Sequence, residues 1–364
     1  MLGNNYAPEF FNGIPDKAGD PLKRICEETL EDLEGYKTIL QQFGVEVIQP
    51  EMDPGERFLD DPRHYPRGPL QVRDFQLVIG NNCLISGNDH PRIAQTLLKY
   101  APEHTYRTKQ IVRSMAMPEF IYDQFAGADW PSYEYYYTNY RDESCFLPFV
   151  WQELEELVWD PSLIIGGANC FMIGTRLYQN QHHLKPAELE FIENLTHFKD
   201  FNIHWHEYDG HGDGNFHPIK PGAILSLHDV QTYEETFPGW DVCYLPDQSW
   251  SKVENFLQLK YKNKGKWWLA GEEDNDEFTN FVETWLQDWV GYVEETVFDV
   301  NVLMLDEHHC CVANPHNEQV NAFLKKHKVE PVYVPWRHRY FWDGGLHCIT
   351  LDLYREGTQK DYFE

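Results

Sequence analysis

Between Pro21 and Phe43, apolar residues Leu22, Ile25, Leu30, Leu33 and Ile39 recur near helical spacing, and Gly44 follows as a stop, so the pattern predicts a first helix there. Val45 to Ile48 reads as a strand directly after it. Phe75 to Ile79 and Cys83 to Ile85 are two apolar runs joined by Gly80-Asn-Asn, a turn that accepts positive φ, and they predict a β-hairpin. Comparable runs recur at Leu163 to Ile165 with Cys170 to Ile173, at Gly222 to Leu227, and at Val300 to Leu305 with Cys310 to Val312. Helical patterns at Pro186 to Phe198, Asp276 to Glu294 and Asn317 to His327 each lead to a short apolar strand, such as Asn202 to Trp205 or Pro331 to Val334. Strand, strand, helix, strand is therefore the recurring order. It predicts an α/β architecture, and the hairpins exclude a purely parallel sheet. No Pro/Ser-rich linker or low-complexity stretch divides the sequence, so residues 1–364 are expected to form one domain.

Composition narrows the partners. A chain that is 42% hydrophobic can bury a large core, which argues against disorder. The 59 acidic and 30 basic side chains leave a formal charge of -29, a surface that repels nucleic-acid backbones and anionic lipid. No apolar run approaches the length a membrane span needs, and the amino-terminal residues do not read as a signal peptide. Eight cysteines show neither a CxxC pair nor a disulfide framework. A reduced, cytoplasmic protein is expected.

Three segments could carry chemistry. In Phe341-Trp-Asp-Gly-Gly-Leu-His-Cys348, paired glycines let the backbone approach a ligand, and a thiol follows beside an imidazole. Cys348 is there either an activated nucleophile at the mouth of an alternating, strand-like run or a buried structural cysteine. The run from His204 to Phe216 crowds His204, His206, His211 and Asp213 into a glycine-rich loop. His211 and Asp213, two apart, share a face of an extended backbone and suit proton transfer beside a fixed carboxylate. The alternative makes His204, His206 and His211 metal ligands, although no HExxH-type spacing accompanies them. Arg73-Asp74 stands before the first hairpin, where it could grip a cation or form an ordinary surface ion pair.

Taken in order, these segments resemble the glycine amidinotransferase family of the guanidino-group-modifying superfamily. The resemblance rests on Arg73-Asp-Phe-Gln-Leu-Val-Ile-Gly-Asn, His211-Gly-Asp-Gly-Asn-Phe-His-Pro with its following Leu225-Ser226, Asn301-Val-Leu-Met-Leu-Asp and Gly344-Gly-Leu-His-Cys348. It implies a five-bladed α/β propeller. The family begins with an extra strand before the first helix; no such strand is read here, so the first blade is expected to be incomplete. The implied activity moves an amidino group from arginine or a related guanidino donor to an amine through a covalent amidino-cysteine.

By the same resemblance Cys348 is the nucleophile, His211 moves the protons, and Asp74 and Asp213 hold the guanidinium, with Arg73 and Asn169 also placed at the substrate. No cofactor or metal is implied, the partners are small molecules, and a homodimer is compatible with the family. Gly166 stands where the family carries an acid, and Val230 where it carries an arginine for the donor's carboxylate, which leaves the donor open. A guanidino hydrolase and a non-catalytic guanidino binder are the alternatives. The Asn301 and Gly344 motifs look more like the transferase branch.

Overall fold

The computed structural model describes residues 1–60, 67–74, 76–80, 82–85, 90–100, 167–180, 201–206, 211–227, 232–246, 268–286, 289–291, 297–357 and 360–363, together with the backbone of four short strands between residues 104 and 159. The strands are β1 (Gln76–Ile79), β2 (Asn82–Ile85), β3 (His104–Thr108), β4 (Val112–Met115), β5 (Phe146–Phe149), β6 (Val158–Trp159), β7 (Cys170–Ile173), β8 (Arg176–Asn180), β9 (Asn202–His206), β10 (Phe216–Lys220), β11 (Ala223–Ser226), β12 (Asp241–Tyr244), β13 (Leu303–Met304), β14 (His309–Val312) and β15 (Glu330–Tyr333).

One unit repeats. An antiparallel hairpin is followed by a third strand parallel to its second in β1-β2-β3, β7-β8-β9, β10-β11-β12 and β13-β14-β15. β4 and β5 form a separate antiparallel pair, and β6 adds to β3. The hairpin order arises because a tight turn suffices between antiparallel strands, whereas the parallel return needs a longer crossover. Gly80, at φ +55°, makes the β1-β2 turn that its sequence predicted. Cys170–Ile173 pairs with Arg176–Asn180. The run read from 163 to 165 and the helix read from 186 to 198 lie outside the described residues.

The first helix, α1 (Asp16–Gln42), starts five residues before the predicted Pro21, which it contains near its amino-terminal end. Its buried stripe, Leu22, Ile25, Cys26, Thr29, Leu33, Tyr36 and Leu40, faces the largest core cluster, with Phe10, Phe11, Phe58, Trp268 and Trp342. Val45 to Ile48 forms no strand among the described residues: Val45 N–H donates to the Leu40 carbonyl at 3.1 Å, and Ile48 accepts the Leu2 N–H at 2.9 Å. The amino-terminal residues instead join the Cys348 segment. Leu2 bridges Thr350 antiparallel, Gly3 N–H donates to Ile349 at 2.8 Å and Leu351 N–H to Met1 at 2.8 Å. Among the described residues, further helices are α2 (Pro91–Tyr100), the single turn α3 (Gly212–Asn215), α4 (Asp276–Trp285) and α5 (Glu318–Lys326). Asn275 and Asn317 cap α4 and α5 through their side-chain oxygens.

Candidate active site

Cys348 sits in a tight turn, not at the mouth of a strand. Ile349 N–H bonds the Gly345 carbonyl at 3.3 Å, Thr350 N–H bonds that of His347 at 3.1 Å, and Thr350 Oγ1 donates to Leu346 at 3.0 Å. These local bonds satisfy the backbone inside the loop, and among the described residues the alternating pattern after Cys348 forms no ladder beyond the Leu2 bridge. The segment before the thiol is tied to the core: Trp342 is fully buried and its Nε1 donates to Thr29 of α1 at 2.8 Å, while Trp336 Nε1 donates to the Gly344 carbonyl at 2.8 Å. Arg73 binds the same turn from below the first hairpin. Its Nε donates to the carbonyls of His347 (3.0 Å) and Thr350 (2.7 Å), and Nη2 to Asp352 at 3.0 Å.

The second wall is α3. Asn169 Oδ1 accepts the Gly212 N–H at 3.1 Å, and Asn215 Nδ2 closes the turn on the His211 carbonyl at 2.7 Å. His211 is the residue before the helix and is exposed, whereas Asp213 within it is 1% exposed. The two side chains therefore do not share a face, because the local helix replaces the extended backbone that the spacing suggested. Asp213 Oδ2 takes Nδ1 of His347 at 2.8 Å and lies 3.5 Å from Cys348 Sγ. Its other oxygen, Oδ1, is buried without a hydrogen-bond partner among the described residues. His347 stacks near Phe171, centroids 6.0 Å apart, meets His217 edge-on at 5.0 Å, and with them and Arg73 lines a cavity of about 930 Å³.

Charge sets the state of the sulfur. Burial, then the negative charges of Asp213 and Asp74, hold the Cys348 thiol well above its ordinary pKa, while hydrogen bonds from the Gly345 backbone and Asn301 act in the opposite sense. Asp74 is buried beside this site, 3.9 Å from Arg67. Burial alone would raise Asp213, yet its bond to His347 and the charges of His347, His211 and Arg73 keep it below the usual carboxylate range. Burial, then Arg73, lowers His347 despite its Asp213 partner. The site thus sets a thiol held above its ordinary pKa within the influence of two carboxylates, an arrangement that invites a flat cation.

Cys348, Asp74 and Asp213 converge. His211 stands near enough to influence Asp213 electrostatically, but no hydrogen bond joins it to Cys348. Arg73 and Asn169 hydrogen-bond protein atoms, and Arg73 is buried, so its contact with Asp352 is no surface ion pair. Gly166 and Val230 lie outside the described residues. His204 and His206 flank the Tyr178 ring, with centroids 5.0 and 5.5 Å from it, and among the described residues no group of three or more metal-type ligands is assembled. Two residues at the thiol, His347 and Asn301, were not assigned roles from sequence. Adjacency to Cys348 pointed to the first, and the Asn301 motif to the second.

No protein-family model matches the chain. A glycine amidinotransferase of Xenopus tropicalis is 26% identical over 188 residues, 50% of this chain and 33% of that protein. An L-arginine:L-lysine amidinotransferase of Pseudomonas savastanoi is 24% identical over 168 residues, 45% of this chain and 36% of the relative. Both of these relatives are amidinotransferases. The chain spans about a third of the length of these first curated relatives, while the zebrafish Danio rerio glycine amidinotransferase aligns over 94% of this chain and 72% of its own length at 23% identity. The fold is likewise that of amidinotransferases. An amidinotransferase of saxitoxin biosynthesis from Microseira wollei superposes with a TM-score of 0.57 at 20% identity, covering 93% of this chain and 87% of its own. The inosamine-phosphate amidinotransferase of Streptomyces griseus gives 0.56 at 16% identity, covering 96% and 84%. Among the described residues no helix is long and apolar enough to cross a membrane.

Proposed function

We propose that the protein is an amidinotransferase that moves the amidino group of arginine, or of a related guanidino compound, to an amine acceptor through Cys348. The observation that carries this is Asp213: one oxygen contacts the thiol and His347, and the other is buried without a hydrogen-bond partner among the described residues. An unsatisfied buried carboxylate oxygen costs of order 1–3 kcal/mol. A guanidinium N–H fills that position, and Asp74, the other carboxylate that acts on the thiol, faces the same cation.

The chemistry follows from charge. A cationic donor neutralises the carboxylates that hold the thiol protonated, so the thiolate becomes accessible when the substrate is present. Sulfur attacks the guanidinium carbon, an S–C bond forms, the C–N bond to the amine breaks, and the thiol proton ends on the leaving nitrogen. An acceptor amine then attacks the amidino-cysteine; the S–C bond breaks and the acceptor's proton returns to sulfur. His211, exposed at the start of α3, suits the relay of both protons, one to the leaving amine and one from the acceptor amine. Arg73 and Asn169 serve by fixing the Cys348 turn and α3 respectively.

We also read the repeated sheets as blades of a five-bladed propeller with this site at its centre, and the protein as a cytoplasmic enzyme of small molecules, in keeping with its net charge of -29. Incubation with arginine and a panel of amines tests the activity. Ornithine that accumulates catalytically only with an acceptor is the expected product. Citrulline formed without an acceptor assigns the protein to the hydrolases instead.

A further inference from the structure

Asn301 follows the helical turn Val297–Val300, and its side chain, 2% exposed, lies between the Cys348 turn and α3. Its Oδ1 accepts the backbone N–H groups of His347 at 2.9 Å and Cys348 at 3.2 Å. Backbone N–H groups only donate, so the carboxamide cannot be flipped without opposing donor to donor. Nδ2 is thereby fixed on the other side, where it donates to the Asp213 carbonyl at 3.2 Å and to Cys348 Sγ at 3.1 Å. The second glycine of the pair makes this approach possible. A Cβ on Gly345 would stand 2.5 Å from Asn301 Oδ1 and 2.7 Å from its Cβ and Cγ.

The sulfur therefore has two polar neighbours of opposite character. Asp213 Oδ2, at 3.5 Å, accepts from the S–H and repels the thiolate, whereas the Asn301 N–H binds weakly to a thiol and strongly to a thiolate. We propose that Asn301 is a further catalytic residue, whose carboxamide binds the reacting sulfur and favours its thiolate form over the thiol. This rests on Cys348 as the nucleophile of the proposed transfer. As the S–C bond forms, charge leaves sulfur and the Asn301 bond weakens; as that bond breaks in the second half-reaction, charge returns and the bond strengthens. Asn301 thus supports sulfur both as nucleophile and as leaving group, and the same carboxamide sets the backbone direction of the Cys348 turn.

The test reads the thiol without any amidino donor, so it is independent of the transfer reaction. The rate of Cys348 alkylation by iodoacetamide, followed on its peptide by mass spectrometry, is measured from pH 6 to 11 in the full chain and in its Asn301→Ser and Asn301→Asp variants. Asn301→Ser, whose hydroxyl can accept a backbone N–H but is too short to reach Sγ, is expected to react about ten- to a hundredfold more slowly at pH 8, with its midpoint moved up by about one to two pH units, the loss of one hydrogen bond to a charged group. Asn301→Asp, which loses the N–H and adds a carboxylate beside the sulfur, is expected to move the midpoint further in the same direction. An unmoved midpoint in either folded variant overturns the proposal, as does a failure of both to fold, which would make Asn301 a scaffold residue alone.

Discussion

Asp213→Asn should change the reactivity and the activity of Cys348 in opposite directions. The carboxylate Oδ2 lies 3.5 Å from Sγ and raises the thiol's pKa. At that separation, two unit charges repel by about 2 to 5 kcal/mol for an effective dielectric between about 40 and 20. Removing the charge is therefore expected to lower the thiol by about 1.5 to 3.5 pH units. Alkylation of Cys348 by iodoacetamide at pH 8 should accelerate about thirtyfold or more. The amide, however, gives the guanidinium no counter-charge, and the loss of the charge-assisted bond at Oδ1 together with that charge should slow the half-reaction with arginine by at least about a hundredfold. The assays are peptide-resolved alkylation and single-turnover ornithine release on the same preparation. Alkylation that is slowed or unchanged in a folded Asp213→Asn protein would refute the electrostatic account of the site.

Gly345→Ala places a Cβ 2.5 Å from Asn301 Oδ1; urea unfolding should show a loss of about 1–3 kcal/mol, accompanied by slower Cys348 alkylation as the carboxamide is displaced. Arg73→Lys cannot reproduce the fork that spans the His347 and Thr350 carbonyls and Asp352, so it should destabilise the fold by about 3 kcal/mol in the same assay. His90 predicts an acid weakness. Its Nδ1 accepts the Arg92 N–H at 3.2 Å and Nε2 meets the Tyr6 hydroxyl at 3.1 Å, while burial, then Arg92, lowers its pKa from 6.5 to about 3. Because the folded state resists the proton that the unfolded state takes up, stability is complete above pH 6.5 and falls as pH drops toward 3, by about 2 kcal/mol at pH 5. Urea midpoints compared at pH 7 and 5 should show this loss, and His90→Gln should reduce it.

What the sequence disclosed depended on whether the information was local. The β1-β2 hairpin and α5 were legible because Gly80 and the Asn317 cap act within a few residues of the elements they bound. The β8 strand was not, since Arg176–Asn180 carries no apolar run and is fixed by its pairing with Cys170–Ile173. At the site, Cys348, Asp213 and Asp74 stood out by type and order, but the relation between His211 and Asp213 was misread as a shared strand face. One turn of helix, capped by an asparagine 43 residues away, turns Asp213 inward and leaves His211 at the surface. Arg73 looked like a substrate or surface residue because its carbonyl partners lie more than 270 residues further along the chain. Asn301, 47 residues before Cys348, has a role visible only when its four hydrogen bonds are seen together.

The central claim is that the amidino group passes through sulfur. Mass spectrometry of the protein quenched in acid after incubation with arginine, without acceptor, tests it directly on the Cys348 peptide. The account predicts an added CH₂N₂, about 42 Da, on Cys348 with an equivalent of ornithine released, absent from Cys348→Ser and discharged on adding an amine. Ornithine production that continues in Cys348→Ser, or an adduct on another residue, would contradict it.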